Sequence, residues 1–202
     1  MENPKINSIL DEGNRLFLKG KLKESIVYYD KILNDIPEHI GSLNNKGYAL
    51  SKLKDYDNAM KCYDAALKIR PDDLSVLVNK ISSLRKQGHF TESLLICNTI
   101  LKDNSKYNIA LYHKERILFS MEKFNDSILC CNSILSDYPN NVDVLFDKSC
   151  NLAKLECYEE SLNTLQHAID INPQFRLKAK NNLAFIQIRK NIKFLKIVSN
   201  SI

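Results

Sequence analysis

Residues 40–73 read IGSLNNKGYALSKLKDYDNAMKCYDAALKIRPDD. Leu43, Gly47 and Leu50 recur at helical spacing, as do Tyr56, Ala59, Met60, Tyr63, Ala66 and Leu67, with the turn Leu53-Lys54-Asp55 between the two runs. The pattern predicts two helices of roughly 13 residues each. Pro71 closes the second, because proline cannot continue the hydrogen-bond ladder. Asp72-Asp73, and Asn140-Asn141 after Pro139, are suited to cap the helix that follows.

Outward from this stretch the same unit recurs with a period of about 34 residues. Pro37 and Pro71 define the interval, Pro139 and Pro173 repeat it, and Ser105 stands where the missing member belongs. Four further columns keep it. They are Leu16, Leu50, Leu84, Leu118, Leu152 and Ile186; Ile9, Leu43, Leu77, Leu111 and Leu145; Leu22, Tyr56, Phe90, Phe124 and Tyr158; and the small column Ser25, Ala59, Ser93, Ser127 and Ser161. No insertion interrupts the five copies, so the chain is a tandem array of helix–turn–helix units.

The unit resembles the tetratricopeptide repeat. Asn45-Lys46-Gly47-Tyr48-Ala49-Leu50, Asp57-Asn58-Ala59 and Cys62-Tyr63-Asp64-Ala65-Ala66-Leu67 carry the likeness, which extends over about residues 6 to 173. It implies an all-α, right-handed α-solenoid of five repeats, at 6–39, 40–73, 74–107, 108–141 and 142–175. A lead at 1–5 precedes them, and a basic amphipathic capping helix at 176–202 follows. Two columns depart from the family pattern. Gly13, Gly47, Ile81, Glu115 and Ser149 place bulky or charged groups where the helices of repeats three and four cross, and Ile32, Ala66, Ile100, Ile134 and Ala168 loosen the middle further. A splayed or rotated helix pair is expected there.

Composition narrows the function. The chain has 202 residues, 44% hydrophobic and 26% charged, with five glycines, five prolines and no tryptophan, a helical profile with little room for the turns of a β-sandwich. The N-terminus lacks a secretory pattern and no apolar run is long enough to span a membrane, so a cytoplasmic protein is expected. Cys62, Cys97, Cys130, Cys131, Cys150 and Cys157 contain no C-x-x-C pair; Cys97 and Cys131 stand where other repeats have Tyr29 and Tyr63. They read as buried free thiols, with redox or metal chemistry the alternative. Phosphate-loop, zinc-protease and nucleophile-elbow motifs are absent, and His39, His89, His113 and His167 are scattered. The reading is therefore a protein without catalytic residues, cofactor, metal or small-molecule substrate, acting as a scaffold or adaptor for another protein.

Such arrays bind on the concave side lined by the first helix of each repeat. At about 100° per residue, Asn45, Tyr48 and Lys52 fall opposite the buried face marked by Leu43, Gly47 and Leu50. Carried along the repeats, the stripe contains Asp11, Asn14 and Leu18; Asn79, Ser82 and Lys86; Ile109, His113 and Arg116; Asp147, Cys150 and Lys154; and Asn181. Asparagines can donate to and accept from a peptide backbone, or are solvated polar residues at a common family position. Lys52, Lys86, Arg116 and Lys154, relieved by Asp143 and Asp147, point to an acidic peptide or helix as ligand. Family members that capture a chaperone's acidic tail use two asparagines and three basic residues; Asn14 and Asn45 match, but Leu10, Ser75 and Asn79 stand at the basic positions, which argues against that ligand. A second column, Lys46, Lys80, Lys114 and Lys148, reads as stems packed over neighbouring helices with the charges in water.

Charge singles out one more segment. No acid follows Asp170, while Arg176, Lys178, Lys180, Arg189, Lys190, Lys193 and Lys196 hold seven positive charges, so the +5 of the whole chain, less these seven, leaves −2 on the stretch that ends at Asp170. Leu177, Leu183, Ile186, Ile188, Ile192, Leu195 and Val198 make the segment amphipathic. It is expected to cover the last repeat. Beyond Asn191, Phe194, Leu195, Ile197 and Val198 require burial by folding back or by a second copy, and binding of nucleic acid or anionic lipid is the remaining alternative, neither being the expected partner.

Overall fold

The structure, a computed structural model, describes residues 4–199. The chain divides into two compact units between Ile96 and Cys97, inside the sixth helix. The first contains α1 (Pro4–Leu18), α2 (Leu22–Asp35), α3 (Ile40–Lys52), α4 (Tyr56–Ile69), α5 (Leu74–Gln87) and the start of α6 (Phe90–Asp103). The second contains the rest of α6, then α7 (Asn108–Ser120), α8 (Phe124–Asp137), α9 (Val142–Lys154), α10 (Tyr158–Ile171), α11 (Phe175–Asn181), a 3₁₀ segment at Leu183–Ile188 and α12 (Ile192–Val198). The described residues form no strand, and none of their helices is long and apolar enough to cross a membrane. The fold class is the all-α array of helix hairpins expected from the repeat period.

Helix ends follow local chemistry. Asp73 accepts from the backbone N–H of Ser75 and Val76, Asn141 from that of Val144, and His39 from that of Ser42, satisfying donors that a helix start leaves bare. The turns inside the repeats share a backbone requirement: Gly20, Lys54, Gly88, Glu122 and Glu156 all have φ between 58° and 82°. They occupy the same position in successive repeats. Only two are glycine, the residue that adopts this left-handed conformation without steric cost.

The repeat columns become packing. In the first unit, Leu43, Leu50, Ala59, Tyr63, Ala66 and Val76 share one core. A Cβ added to Gly47 would lie 2.7 Å from Cε1 of Tyr63, and one on Gly13 would lie 2.8 Å from Cε1 of Tyr29, so the glycines are seats for the two tyrosine rings. In the second unit the hairpins keep their cross-helix serine bond despite the larger residue at Glu115. Ser127 Oγ donates to the Glu115 carbonyl at 3.1 Å and Ser161 Oγ to the Ser149 carbonyl at 2.8 Å, the same cross-hairpin bond that Ser93 makes to Ile81 in the first unit. Glu115 is accommodated because its partner column carries Cys131, whose small side chain leaves the volume that a tyrosine fills elsewhere.

The C-terminal segment corrects the expectation of one long helix. Asn182 and Asn191 leave the helical conformation and cap the pieces that follow them, so α11, the 3₁₀ segment and α12 are short and separate; residues 200–202 lie outside the described residues. The break allows the chain to fold back. Phe175, Ala179, Phe185, Ile188, Phe194, Ile197 and Val198 join Phe146, Leu162 and Leu165 in one core, with Phe185 between the rings of Phe146 and Phe194 at 6.0 and 5.6 Å. Phe194, Ile197 and Val198 are thus buried within the same chain, while Leu195 faces out. Ile186, in register with the core leucine column, is exposed because the 3₁₀ turn rotates it away. Five cysteines are buried free thiols and Cys157 is exposed; burial raises the thiol of Cys97 to about 12 and that of Cys130 to about 11.

Candidate functional site

The first helices of the first unit are joined by amides. Asn45 Nδ2 on α3 donates to Asn14 Oδ1 on α1 at 2.8 Å, and Tyr29 Oη donates to the same oxygen at 3.0 Å. One repeat later Asn79 Nδ2 on α5 donates to Asn44 Oδ1 on α3 at 2.9 Å. Each bond contributes about 1 kcal/mol net and fixes the amides in orientation. Asn44 lies outside the stripe read from the sequence; a one-residue offset between successive amide pairs hides it from a strict repeat register.

Two turns further along α3 and α5 stand Lys52 and Lys86. Lys52 Nζ stands 5.2 Å from the ring centroid of Tyr48, which also packs on Phe17 at 5.1 Å. Burial, with the charges of Lys52 and Arg85, lowers the pKa of Lys86. The charges of Lys52 and Arg85 thus disfavour the protonated form of Lys86, an effect that an anion would relieve. Asn14, Asn45, Tyr48, Lys52, Asn79 and Lys86 are thereby gathered in one unit.

The rim column has a different use. Lys46 pairs with Asp30, and Lys80 Nζ lies 2.8 Å from Asp64, each joining the first helix of a repeat to the second helix of the preceding one. These half-exposed pairs contribute about 0–1 kcal/mol each and register the repeats. The acidic column is not continued in the second unit, where Asn132 takes the place of Asp64.

In the second unit the predicted stripe is largely occupied. The Arg116 guanidinium binds Asp147 through Nε at 3.2 Å and Nη2 at 3.0 Å, and lies 4.3 Å from the ring centroid of Tyr112. Its charge is internally neutralised. His113 is half-buried, with its ring 6.3 Å from Tyr112. Cys150 is buried, because the 3₁₀ segment packs on α9 within the C-terminal core. Lys154 and Asn181 are exposed at the ends of α9 and α11.

Below Arg116 a buried polar network joins three helices. Glu115 Oε1 accepts from Ser127 Oγ at 3.2 Å and from Asn151 Nδ2 at 3.3 Å, and Asn151 Nδ2 also donates to the Asp147 carbonyl at 2.9 Å. Glu115 Oε2 and Asn151 Oδ1 are buried without hydrogen-bond partners. Burial, reinforced by Asp147, pushes the Glu115 carboxyl up to about 8. Burial also raises Asp147, against the pull of Arg116.

A sequence model of the tetratricopeptide repeat matches residues 41–73. A search of curated proteins by sequence found no match. Among solved structures, the chain is similar to a tetratricopeptide repeat protein from Parabacteroides merdae, at 16% identity and a TM-score of 0.80, covering 96% of this chain and 78% of that one. It is similar to a MamA RS-1 double mutant, at 15% identity and 0.75, covering 86% and 98%. It is also similar to YrrB, described as a tetratricopeptide-repeat protein with an unusual peptide-binding site, at 17% identity and 0.66, covering 90% of each chain. The matched repeat, the periodic recurrence of its helix pair and these neighbours together make the chain a tetratricopeptide-repeat protein in fold.

Proposed function

We propose that the chain is a non-catalytic, cytoplasmic protein-interaction scaffold that holds an acidic peptide or helical segment of a partner. The observation that carries this reading is the pair of oriented amide contacts Asn14–Asn45 and Asn44–Asn79, with Lys52 and Lys86 two turns further along α3 and α5. Oriented amides bind a backbone at low entropic cost, and the two lysines favour carboxylates by long-range attraction. The neighbour whose description names a peptide-binding site supports peptide capture on this architecture. His113, Arg116, Lys154 and Asn181 take the same role in the second unit, with less attraction because Asp147 already holds Arg116.

Fluorescence anisotropy with labelled acidic and basic peptides of equal length tests the proposal. Acidic peptides are expected to bind tighter, and Lys52→Gln with Lys86→Gln to weaken them about tenfold, the worth of roughly 1.4 kcal/mol. Preference for basic peptides, or indifference to both substitutions, would refute it. A second reading rests on the cap, where Leu177, Leu183, Ile186, Ile192 and Leu195 are exposed among the C-terminal cations. Self-association through that face requires a molar mass that rises with concentration in light scattering. A constant monomer mass removes it. Deleting residues 190–202 is not a clean test, because Phe194, Ile197 and Val198 belong to the core.

A further inference from the structure

The C-terminal segment has two unlike sides. Its three short pieces turn Phe175, Ala179, Phe185, Ile188, Phe194 and Ile197 into one core. On the other side Leu177, Leu183, Ile186, Ile192 and Leu195 stay between 50% and 72% exposed. Helical spacing gathers these residues into stripes. Leu183 and Ile186 eclipse in the 3₁₀ segment, Ile192, Leu195 and Lys196 fall on one side of α12, and Leu177 and Lys180 on one side of α11. Because the inner side of every piece faces the same core, the stripes lie on the outside of one cap.

The cap is also of one sign. No acid follows Asp170 in the sequence. Asp143 of α9 and Glu159 of α10 answer Lys178 and Lys193. Among the described residues Arg176, Lys180, Arg189, Lys190 and Lys196 pair with no carboxylate. Arg176 and Lys180 line, together with Leu177, a hollow of about 480 Å³ whose described lining contains no acid.

We propose that the outer face of this cap docks on an anionic lipid surface, with the aliphatic side chains in the interfacial layer and the cations at the headgroups. Charge and surface chemistry select that occupant. A second copy docking through the same face would bring two sets of unanswered cations together. A nucleic acid would answer the cations but leave the aliphatic side chains in water, because the rings on which bases could stack, Phe175, Phe185 and Phe194, are all buried. An acidic protein would need a separate pocket for each aliphatic residue, since they are spread over three pieces and the hollow takes in only Leu177. A fluid interface needs none. Each side chain inserts by itself while the neighbouring lysine stays at headgroup level. The cap lies on such a surface without spanning it, since no described helix is long and apolar enough to cross a membrane. It belongs to the second unit, whereas the peptide reading rests on amides and lysines of the first, so the two stand or fall separately.

The test sediments the full chain with vesicles of phosphatidylcholine alone and of phosphatidylcholine with about 30% phosphatidylserine. The wild type is expected to bind the mixed vesicles about tenfold tighter or more, and to be released as added salt screens the charges. Lys180→Gln, Lys190→Gln and Lys196→Gln together are expected to weaken that binding about a hundredfold, about fivefold for each charge. Ile192→Ser with Leu195→Ser is expected to weaken it about tenfold. All five positions are exposed, so the core is untouched. Equal binding to both vesicles, wild-type binding by the serine variant, or an affinity for polyglutamate or RNA that equals that for the mixed vesicles would each overturn the proposal. So would a molar mass that rises with concentration in the wild type and stays monomeric in the serine variant, which assigns the face to a second copy.

Discussion

Replacing Glu115 by glutamine removes a buried charge while keeping the shape of the side chain. In the native protein Asn151 Nδ2 donates to Glu115 Oε1, while Glu115 Oε2 and Asn151 Oδ1 are each buried without a partner. A proton on Oε2 spares the folded state a charge held out of water. Glutamine supplies an amide N–H at the same place. With a carboxyl at about 8 in the folded state and 4.5 in the unfolded one, the folded state binds the extra proton. This stabilisation is complete below pH 4.5 and is lost as pH rises through about 8. Linkage gives a loss on the order of 2 kcal/mol between pH 5 and pH 7. Every other titrating group is common to both proteins, so Glu115→Gln should gain about that amount over the wild type across the interval. Urea denaturation followed by circular dichroism at pH 5 and pH 7 measures the difference, and hydrogen exchange at amides of α7 and α9 locates it. A gap between the two proteins that stays constant with pH would refute a protonated Glu115 in the folded state. Glu115→Ala, which leaves Asn151 Nδ2 without its side-chain acceptor and opens a cavity, should be destabilised at both values.

Two further changes test the backbone and the packing. Lys54, Glu122 and Glu156 hold positive φ at the position where Gly20 and Gly88 stand in other repeats, so Lys54→Gly, Glu122→Gly and Glu156→Gly should each stabilise by about 0.5–1 kcal/mol; a fall in the urea midpoint for all three would contradict this. Gly47→Ala brings a methyl group to 2.7 Å from Tyr63 Cε1 and should cost about 1–3 kcal/mol. In a Tyr63→Leu background the additional cost of Gly47→Ala should shrink, and a double-mutant cycle with no coupling would show that the ring is not the obstacle.

The two halves of the molecule differ in what an ion can reach. In the first unit the lysines of the stripe stay available, whereas in the second the carboxylate of Asp147 neutralises Arg116 and the 3₁₀ segment covers Cys150. A stripe drawn by helical geometry treats all repeats alike. It therefore overstates the positive charge of the later ones.

The sequence by itself determined the repeat, its period, the helix–turn–helix alternation and most of the core, because apolar periodicity, proline position and capping residues act within a few residues of one another. Asp73 and Asn141 cap the helices that their positions after proline imply, and the leucine column is buried through Leu152. Tertiary structure alone decided what lies across a contact. The exchange of volume between Glu115 and Cys131, the offset pairing of Asn44 with Asn79, and the left-handed turns at Lys54, Glu122 and Glu156 all depend on partners in other elements or on backbone geometry that side-chain identity does not encode. The same holds for the C-terminus. Its amphipathic pattern is compatible with one long helix, but only the apolar surface left open by α9 and α10 decides that folding back, at the cost of two helix breaks, buries more than a continuous helix would.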